Sequence, residues 1–206
     1  MICIMDYGVG NIQAFLNLFK RLGMDVQRAD TPELLASATR IILPGVGHFD
    51  YAMKGLNDSG MLPKLHELVL ESHVPVIGIC VGMQILAQGS DEGSLPGLNW
   101  VPGRVRALSS FPQTSALAMP HMGCNALKPR AHSLLFSKGF DDRMRFYFLH
   151  SYFFDAEYKE DVSATASYGV EFAAAISRGH IHGVQFHPEK SHHWGEQLLK
   201  NFVEAY

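Results

Sequence analysis

The apolar positions along the chain change period several times, and each change marks an element. Residues 1–5 are apolar without a break, as in a strand buried on both faces. Ile12, Phe15, Leu16, Phe19 and Leu22 then recur at helical spacing, and Gly23 stops the run. Val26 opens a second short strand. Thr31-Pro32-Glu33 combines a cap, a first-turn proline and a first-turn acid, which predicts a short helix. Ile41-Ile42-Leu43 reads as a third strand, ended by Pro44-Gly45. Residues 62–70 read as helix and 74–79 as a continuous apolar strand, with a helical pattern running on through Leu86 and Ala87. This βαβα order with fully apolar strands predicts an α/β fold, a mainly parallel sheet covered by helices on both faces.

The second half has a different pattern. Short strand-like runs at 104–108, 146–149, 172–177 and 181–186 are separated by Gly, Pro, Asn and Asp. Helical signals return only after Gly195, where Leu198, Leu199, Phe202 and Val203 make an apolar stripe. Antiparallel strands extending the sheet, and a C-terminal helix closing it, follow from this. Residues 90–97 and 109–119 are the expected flexible loops. No internal repeat, linker or low-complexity tract divides the chain, so residues 1–206 are expected to form one domain.

Composition narrows the class. The chain has 206 residues, 47% hydrophobic and 18% charged, which is an ordinary globular balance and excludes disorder. A chain of this size buries about 70% of its unfolded surface. Lys and Arg number 17 against 20 Asp and Glu, a net charge of −3. Neither nucleic acid nor an anionic membrane is expected as a partner, since both ask for a basic face. No window nears the roughly 18 apolar residues of a membrane span, and the N-terminus lacks a signal-peptide pattern. Cys3, Cys80 and Cys124 are odd in number, far apart and without a CxxC spacing. A reducing compartment, the cytoplasm, is expected.

The chemistry concentrates in three segments. Val76-Ile77-Gly78-Ile79-Cys80-Val81-Gly82-Met83-Gln84 runs an apolar strand into Gly-x-Cys-x-Gly and then a helical pattern. This is a nucleophile elbow with cysteine in place of serine. The turn is sharp, so glycines must flank the nucleophile, and it sets Cys80 at a helix N-terminus that favours a thiolate. The competing reading is a small buried cysteine at a strand end, and Cys80 with its two glycines favours the nucleophile over it only slightly. A base is at hand in Ile181 to Ser191, where His187 ends an apolar strand and Pro188-Glu189 follows. Glu189, two residues on, is placed to turn back to one imidazole nitrogen while the other faces the thiol. Leu43-Pro44-Gly45-Val46-Gly47 ends the third strand in a glycine-rich turn. Beside the Cys80 strand, its N–H groups and that of Val81 would face a developing oxyanion.

Together these segments resemble the class I, or triad, glutamine amidotransferases. Three further pieces narrow the resemblance to the glutaminase subunits of imidazole glycerol phosphate synthases. They are Met5-Asp6-Tyr7-Gly8-Val9-Gly10-Asn11, Pro120-His121-Met122-Gly123 with Asn125, and Tyr147-Phe148-Leu149-His150-Ser151-Tyr152. The resemblance runs from residue 2 to the C-terminal helix. It implies a flavodoxin-like three-layer sandwich with L-glutamine as substrate. It assigns attack to Cys80, proton transfer to His187 and orientation of His187 to Glu189. Val46 and Val81 match the oxyanion positions. Gly47, Gln84, Ser151 and Tyr152 match positions that hold substrate or line its pocket. It implies no cofactor and a heterodimer with a (β/α)₈-barrel cyclase of histidine biosynthesis, contacted near Asn11, Cys124 and Lys190.

The sequence departs from this pattern at Cys124, where the family usually has tryptophan facing the cyclase, and at Gln13-Ala14. Close relatives of these subunits supply ammonia to nucleotide-sugar enzymes of surface-polysaccharide synthesis, which is the alternative acceptor. A stand-alone Cys–His hydrolase is the alternative of another class. Gly8-Val9-Gly10 is no dinucleotide fingerprint, because the third glycine would fall at Gln13. Eleven histidines, among them His180, His182, His192 and His193, lack the spacing of a zinc site.

Overall fold

A computed structural model describes residues 1–131 and 133–206. The first half alternates strands and helices: β1 (Ile2–Met5), α1 (Ile12–Arg21), β2 (Val26–Ala29), α2 (Pro32–Leu35), β3 (Arg40–Gly45), α3 (Phe49–Asp58), α4 (Leu62–His66), β4 (Val76–Cys80) and α5 (Val81–Gln84). The second half is β5 (Gly103–Ala107), β6 (His121–Ala126), β7 (Lys128–Pro129), β8 (Arg145–His150), β9 (Tyr152–Ala156), β10 (Val162–Tyr168), β11 (Val170–Arg178), β12 (Ile181–Val184) and α6 (His192–Glu204).

The main sheet has the order β2-β1-β3-β4-β12-β11-β10-β7. From β2 to β12 the pairing is parallel. From β12 outward it is antiparallel. β9 also pairs with β11, and β5 with β9. β6 and β8 form a separate antiparallel ribbon. Right-handed crossovers put α1 on one face and the β2-to-β4 helices on the other. α6 returns to the α1 side, where Arg21 of α1 meets Glu196 of α6 at 2.8 Å. The result is a three-layer α/β/α sandwich of the flavodoxin-like type, with an antiparallel extension. In such sheets the functional crevice lies beyond the carboxyl ends of the parallel strands, and β3, β4 and β12 all end there.

Several elements depart from expectation for identifiable reasons. β3 does not stop at Leu43. It continues through Pro44 and Gly45, which pair with Ile79 and Cys80 of β4. The β1 pairing ends at Ile4–Ile42, so Pro44 forfeits no ladder bond on that side. The helix after Cys80 lasts one turn only. Beyond it, the carbonyls of Ile85, Leu86 and Ala87 accept from Leu98, Trp100 and Asn99, so a neighbouring segment takes the acceptors a longer helix would use. The dipole expected behind Cys80 is correspondingly small. The 62–70 helix changes character part-way, with a π-helical turn over Glu67–Glu71.

The two expected flexible loops are tied down. Asp50 of α3 accepts from the backbone of Ser94 at 2.9 Å and of Leu95 at 3.0 Å. Residues 109–119 contain a 3₁₀ turn over Pro112–Thr114. The Thr114 hydroxyl donates to the Leu108 carbonyl at 2.7 Å, and the Tyr168 hydroxyl donates to that of Ala118 at 2.7 Å. Among the described residues no helix is long and apolar enough to cross a membrane.

Candidate active site

The elbow is built by close approach. A Cβ on Gly82 would overlap the Leu43 carbonyl oxygen, and one on Gly78 would overlap that of Gly82. Only hydrogen side chains let β3, β4 and the turn after Cys80 meet so tightly. Cys80 absorbs the bend with φ 55° and ψ −110°, a conformation that L-residues rarely hold. Cys80 is 5% exposed. Val81 is the first residue of α5, so its N–H has no intrahelical acceptor.

His187 follows β12 and is hydrogen-bonded on its backbone from both sides. Its N–H donates to the Tyr147 carbonyl at 2.8 Å, and its carbonyl accepts from the Ser191 hydroxyl at 2.7 Å. The Nδ1–H of its ring donates to Glu189 Oε1 at 2.8 Å. Burial of the ring opposes its charge, but the Cys80 sulfur near it and the Glu189 carboxylate paired with it outweigh burial and raise its pKa. Glu189 Oε2 is buried without a hydrogen-bond partner among the described residues. The carboxylate thus serves the imidazole through a single oxygen.

Cys80 and His187 open into a cavity of about 350 Å³. Val46, Gly47, Val81, Gln84, Ser151 and Tyr152 line it, as does Lys190 at its edge. Every residue that the family resemblance marked as reactive, oxyanion-binding or substrate-holding lies on this cavity, except Glu189, which stands behind His187. The Gln84 amide nitrogen donates to the Tyr152 carbonyl and to Gln185 Oε1, both at 3.1 Å.

Four further residues line it that no sequence motif marks with a role: Glu92, Pro120, Leu149 and His150. Glu92 accepts from the Phe49 N–H at 2.8 Å, which holds its carboxylate at the cavity wall. Gln185 is another such residue, behind the cavity wall. It is fully buried, and its amide nitrogen donates to Cys80 Sγ at 3.7 Å. Gln185 lies one residue beyond β12 and meets a cysteine 105 residues away, so no local pattern signals it.

The three residues placed at a partner surface lie apart from the reactive centre to different degrees. Asn11 is exposed at the start of α1, where its side chain caps the Ala14 N–H. Cys124 is exposed on β6, opposite Tyr147 of β8. Lys190 sits over the Tyr147 ring at 5.5 Å. Away from the cavity, His180 is bonded to the Val69 carbonyl, and His182 to Ser177 and Tyr206. Among the described residues no three His, Cys, Asp or Glu side chains gather as a metal site would.

The family model for glutamine amidotransferase class-I matches residues 3–205. The chain belongs to the class I glutamine amidotransferases. Within that family it is 57% identical over 204 residues to the imidazole glycerol phosphate synthase subunit HisH of Bdellovibrio bacteriovorus, covering 99% of this chain and 100% of that protein. It is 47% identical to the subunit of the same name from Leptospira interrogans, over 98% and 99% of the two chains. The class I glutamine amidotransferase fold is shared with much more distant proteins. A solved glutamine amidotransferase superposes with a TM-score of 0.76 at 18% identity, covering 98% of this chain and 97% of that one. The structure of PurLQS from Thermotoga maritima superposes with a TM-score of 0.70 at 17% identity, over 99% and 97%.

Proposed function

We propose that this amidotransferase acts as one domain, the glutaminase subunit of an imidazole glycerol phosphate synthase in the cytoplasm. L-glutamine enters the cavity with its carboxamide toward Cys80. With the proton on His187, the Cys80 sulfur attacks the carboxamide carbon. His187 returns a proton to the departing nitrogen, and ammonia leaves behind a γ-glutamyl thioester. Water, deprotonated by His187, attacks that thioester and releases glutamate and the thiol. Glu189 keeps the imidazole in the required tautomer and orientation. Backbone N–H groups at Val46 and Val81 hold the oxyanion in both steps. Gly47, Gln84, Ser151 and Tyr152 hold the substrate, and Glu92 supplies the negative charge that its ammonium group needs.

One observation carries this reading: a buried cysteine at a strained elbow shares a small-molecule cavity with an imidazole that a carboxylate orients. The proposed recipient of the ammonia is a (β/α)₈-barrel cyclase. Ammonia is mostly protonated in neutral water and then not nucleophilic, so direct transfer within a heterodimer preserves it. Met122 and Leu149 form an exposed cross-strand pair beside the cavity mouth, 66% and 37% exposed, and Val46 is 42% exposed. This apolar rim, with Asn11, Cys124 and Lys190 around it, is the face we assign to the cyclase. Cys124 in place of tryptophan is the one feature that favours a nucleotide-sugar acceptor instead.

Control by the partner follows from the oxyanion donor. A peptide flip at Gly45-Val46-Gly47 would swing an N–H toward the oxyanion or away from it. Losing one such donor costs about 10²–10³ in rate. The test is glutamate release by the chain alone, with a histidine-pathway cyclase, and with that cyclase plus its acceptor ligand. A stepwise rise supports the proposal. Full activity without a partner would remove the control step, and indifference to this cyclase would favour the other acceptor.

A further inference from the structure

Two buried histidines outside the triad are joined to each other and to the cavity wall. His121 Nδ1 lies 2.9 Å from His150 Nε2. His150 Nδ1 lies 2.8 Å from the Tyr152 carbonyl oxygen, which can only accept, so this nitrogen carries a proton. At the far end, Asn125 Nδ2 lies 3.4 Å from His121 Nε2 and donates to the Ser167 carbonyl at 2.9 Å. The rings are packed among aromatics. His121 stacks on Phe148 and Tyr168 at 4.9 and 4.2 Å, and His150 meets Phe172 at 5.0 Å. Burial holds His121 down to about 4 and His150 down to about 3. Two neutral rings leave one arrangement of protons. His150 donates from Nδ1 and accepts at Nε2. His121 therefore donates from Nδ1 and accepts from Asn125 at Nε2.

The chain does not stop at Tyr152. That carbonyl also accepts from Gln84 Nε2, which bonds Gln185 Oε1, and Gln185 donates to Cys80 Sγ. We propose that His121 and His150 are positioning residues of the glutaminase, a one-way hydrogen-bonded pair that sets the Tyr152 carbonyl and, through Gln84 and Gln185, the Cys80 sulfur. The proposal rests on the glutaminase reading above. Neither ring takes the proton moved in the reaction. Each is spent on its neighbours, and the effect on rate comes through the placement of the nucleophile, for which small errors are costly.

Two measurements test it. Glutamate release by the parent chain with its cyclase comes first, and its absence refutes the glutaminase reading itself. In the same assay, His121→Phe keeps a ring in the aromatic stack but removes the Nδ1 donor. It is expected to lower kcat about tenfold. His121→Asn places an amide N–H where Nδ1 stands and is expected to recover most of that loss. An unchanged kcat in folded His121→Phe, or equal losses in the two folded variants, overturns the proposal. Nitrogen NMR of the imidazoles in the parent protein needs neither turnover nor variants. Both rings are expected to carry hydrogen on Nδ1 and none on Nε2 at neutral pH, and a proton on either Nε2 overturns the proposal.

Discussion

Replacing Cys80 by glycine and, separately, by alanine isolates the strain stored in the elbow. Both changes remove the sulfur and its contact with Gln185, so their difference reports the Cβ alone. At φ 55° and ψ −110°, Cys80 lies outside even the small left-handed helical basin. Such a position costs about 1–3 kcal/mol in a residue with a Cβ, and these angles belong at the top of that range. Glycine relieves the cost. Against this stand about 0.8 kcal/mol for the lost buried methyl and about 0.4–1 kcal/mol for the freer unfolded chain. The balance favours Cys80→Gly over Cys80→Ala by about 1–2 kcal/mol. In a domain of this size that is about 2–8 °C in melting temperature. At an ordinary strand end alanine would be the more stable of the two. Thermal and urea melts of both proteins decide it. An alanine variant as stable as the glycine variant, or more so, would refute the elbow geometry and the strain argument with it.

An electrophilic glutamine analogue is expected to label Cys80 ahead of Cys124, although Cys124 is the exposed thiol; peptide mapping led by Cys124 would contradict the assignment. Glu189→Gln is expected to leave measurable glutaminase activity while His187→Ala leaves none, checked as kcat with the cyclase present. The same Glu189 variant bears on stability. The folded pKa of His187 is raised above the unfolded value of 6.5, so its stabilising contribution is complete below about 6.5 and is lost as pH rises through the folded value. Urea midpoints at about pH 6 and about pH 9 are therefore expected to differ more in the parent than in Glu189→Gln. Cys124→Trp is expected to change affinity for a histidine-pathway cyclase in titration calorimetry and to leave hydrolysis by the isolated chain unchanged.

How far the sequence reveals the site depends on how each residue is signalled. Cys80 and its glycines are legible because steric closeness dictates residue type, and His187-Pro188-Glu189 because the orienting acid is local. Glu92 and Gln185 act through partners 43 and 105 residues away, with no local pattern to announce them. The fold shows the same division. β1, β3 and β4 are continuous apolar runs and read directly. β10, with the sequence Val-Ser-Ala-Thr-Ala-Ser-Tyr, is made of small residues whose burial comes from β11 rather than from their own hydrophobicity. α3 is hard to read although Phe49, Ala52, Met53 and Leu56 keep helical spacing, because Gly55 and the polar residues between them weaken the propensity. The end of α5 is set by residues 98–100, beyond the reach of periodicity.

The central claim is that Cys80 releases ammonia which a separate enzyme consumes. Cys80→Ala, assembled with the cyclase and supplied with acceptor ligand, tests it in one comparison of product formation from glutamine and from ammonium salts. The account requires that the variant lose the glutamine-dependent reaction and keep the ammonium-dependent one at the parent rate. Product formation from glutamine at the parent rate would contradict it.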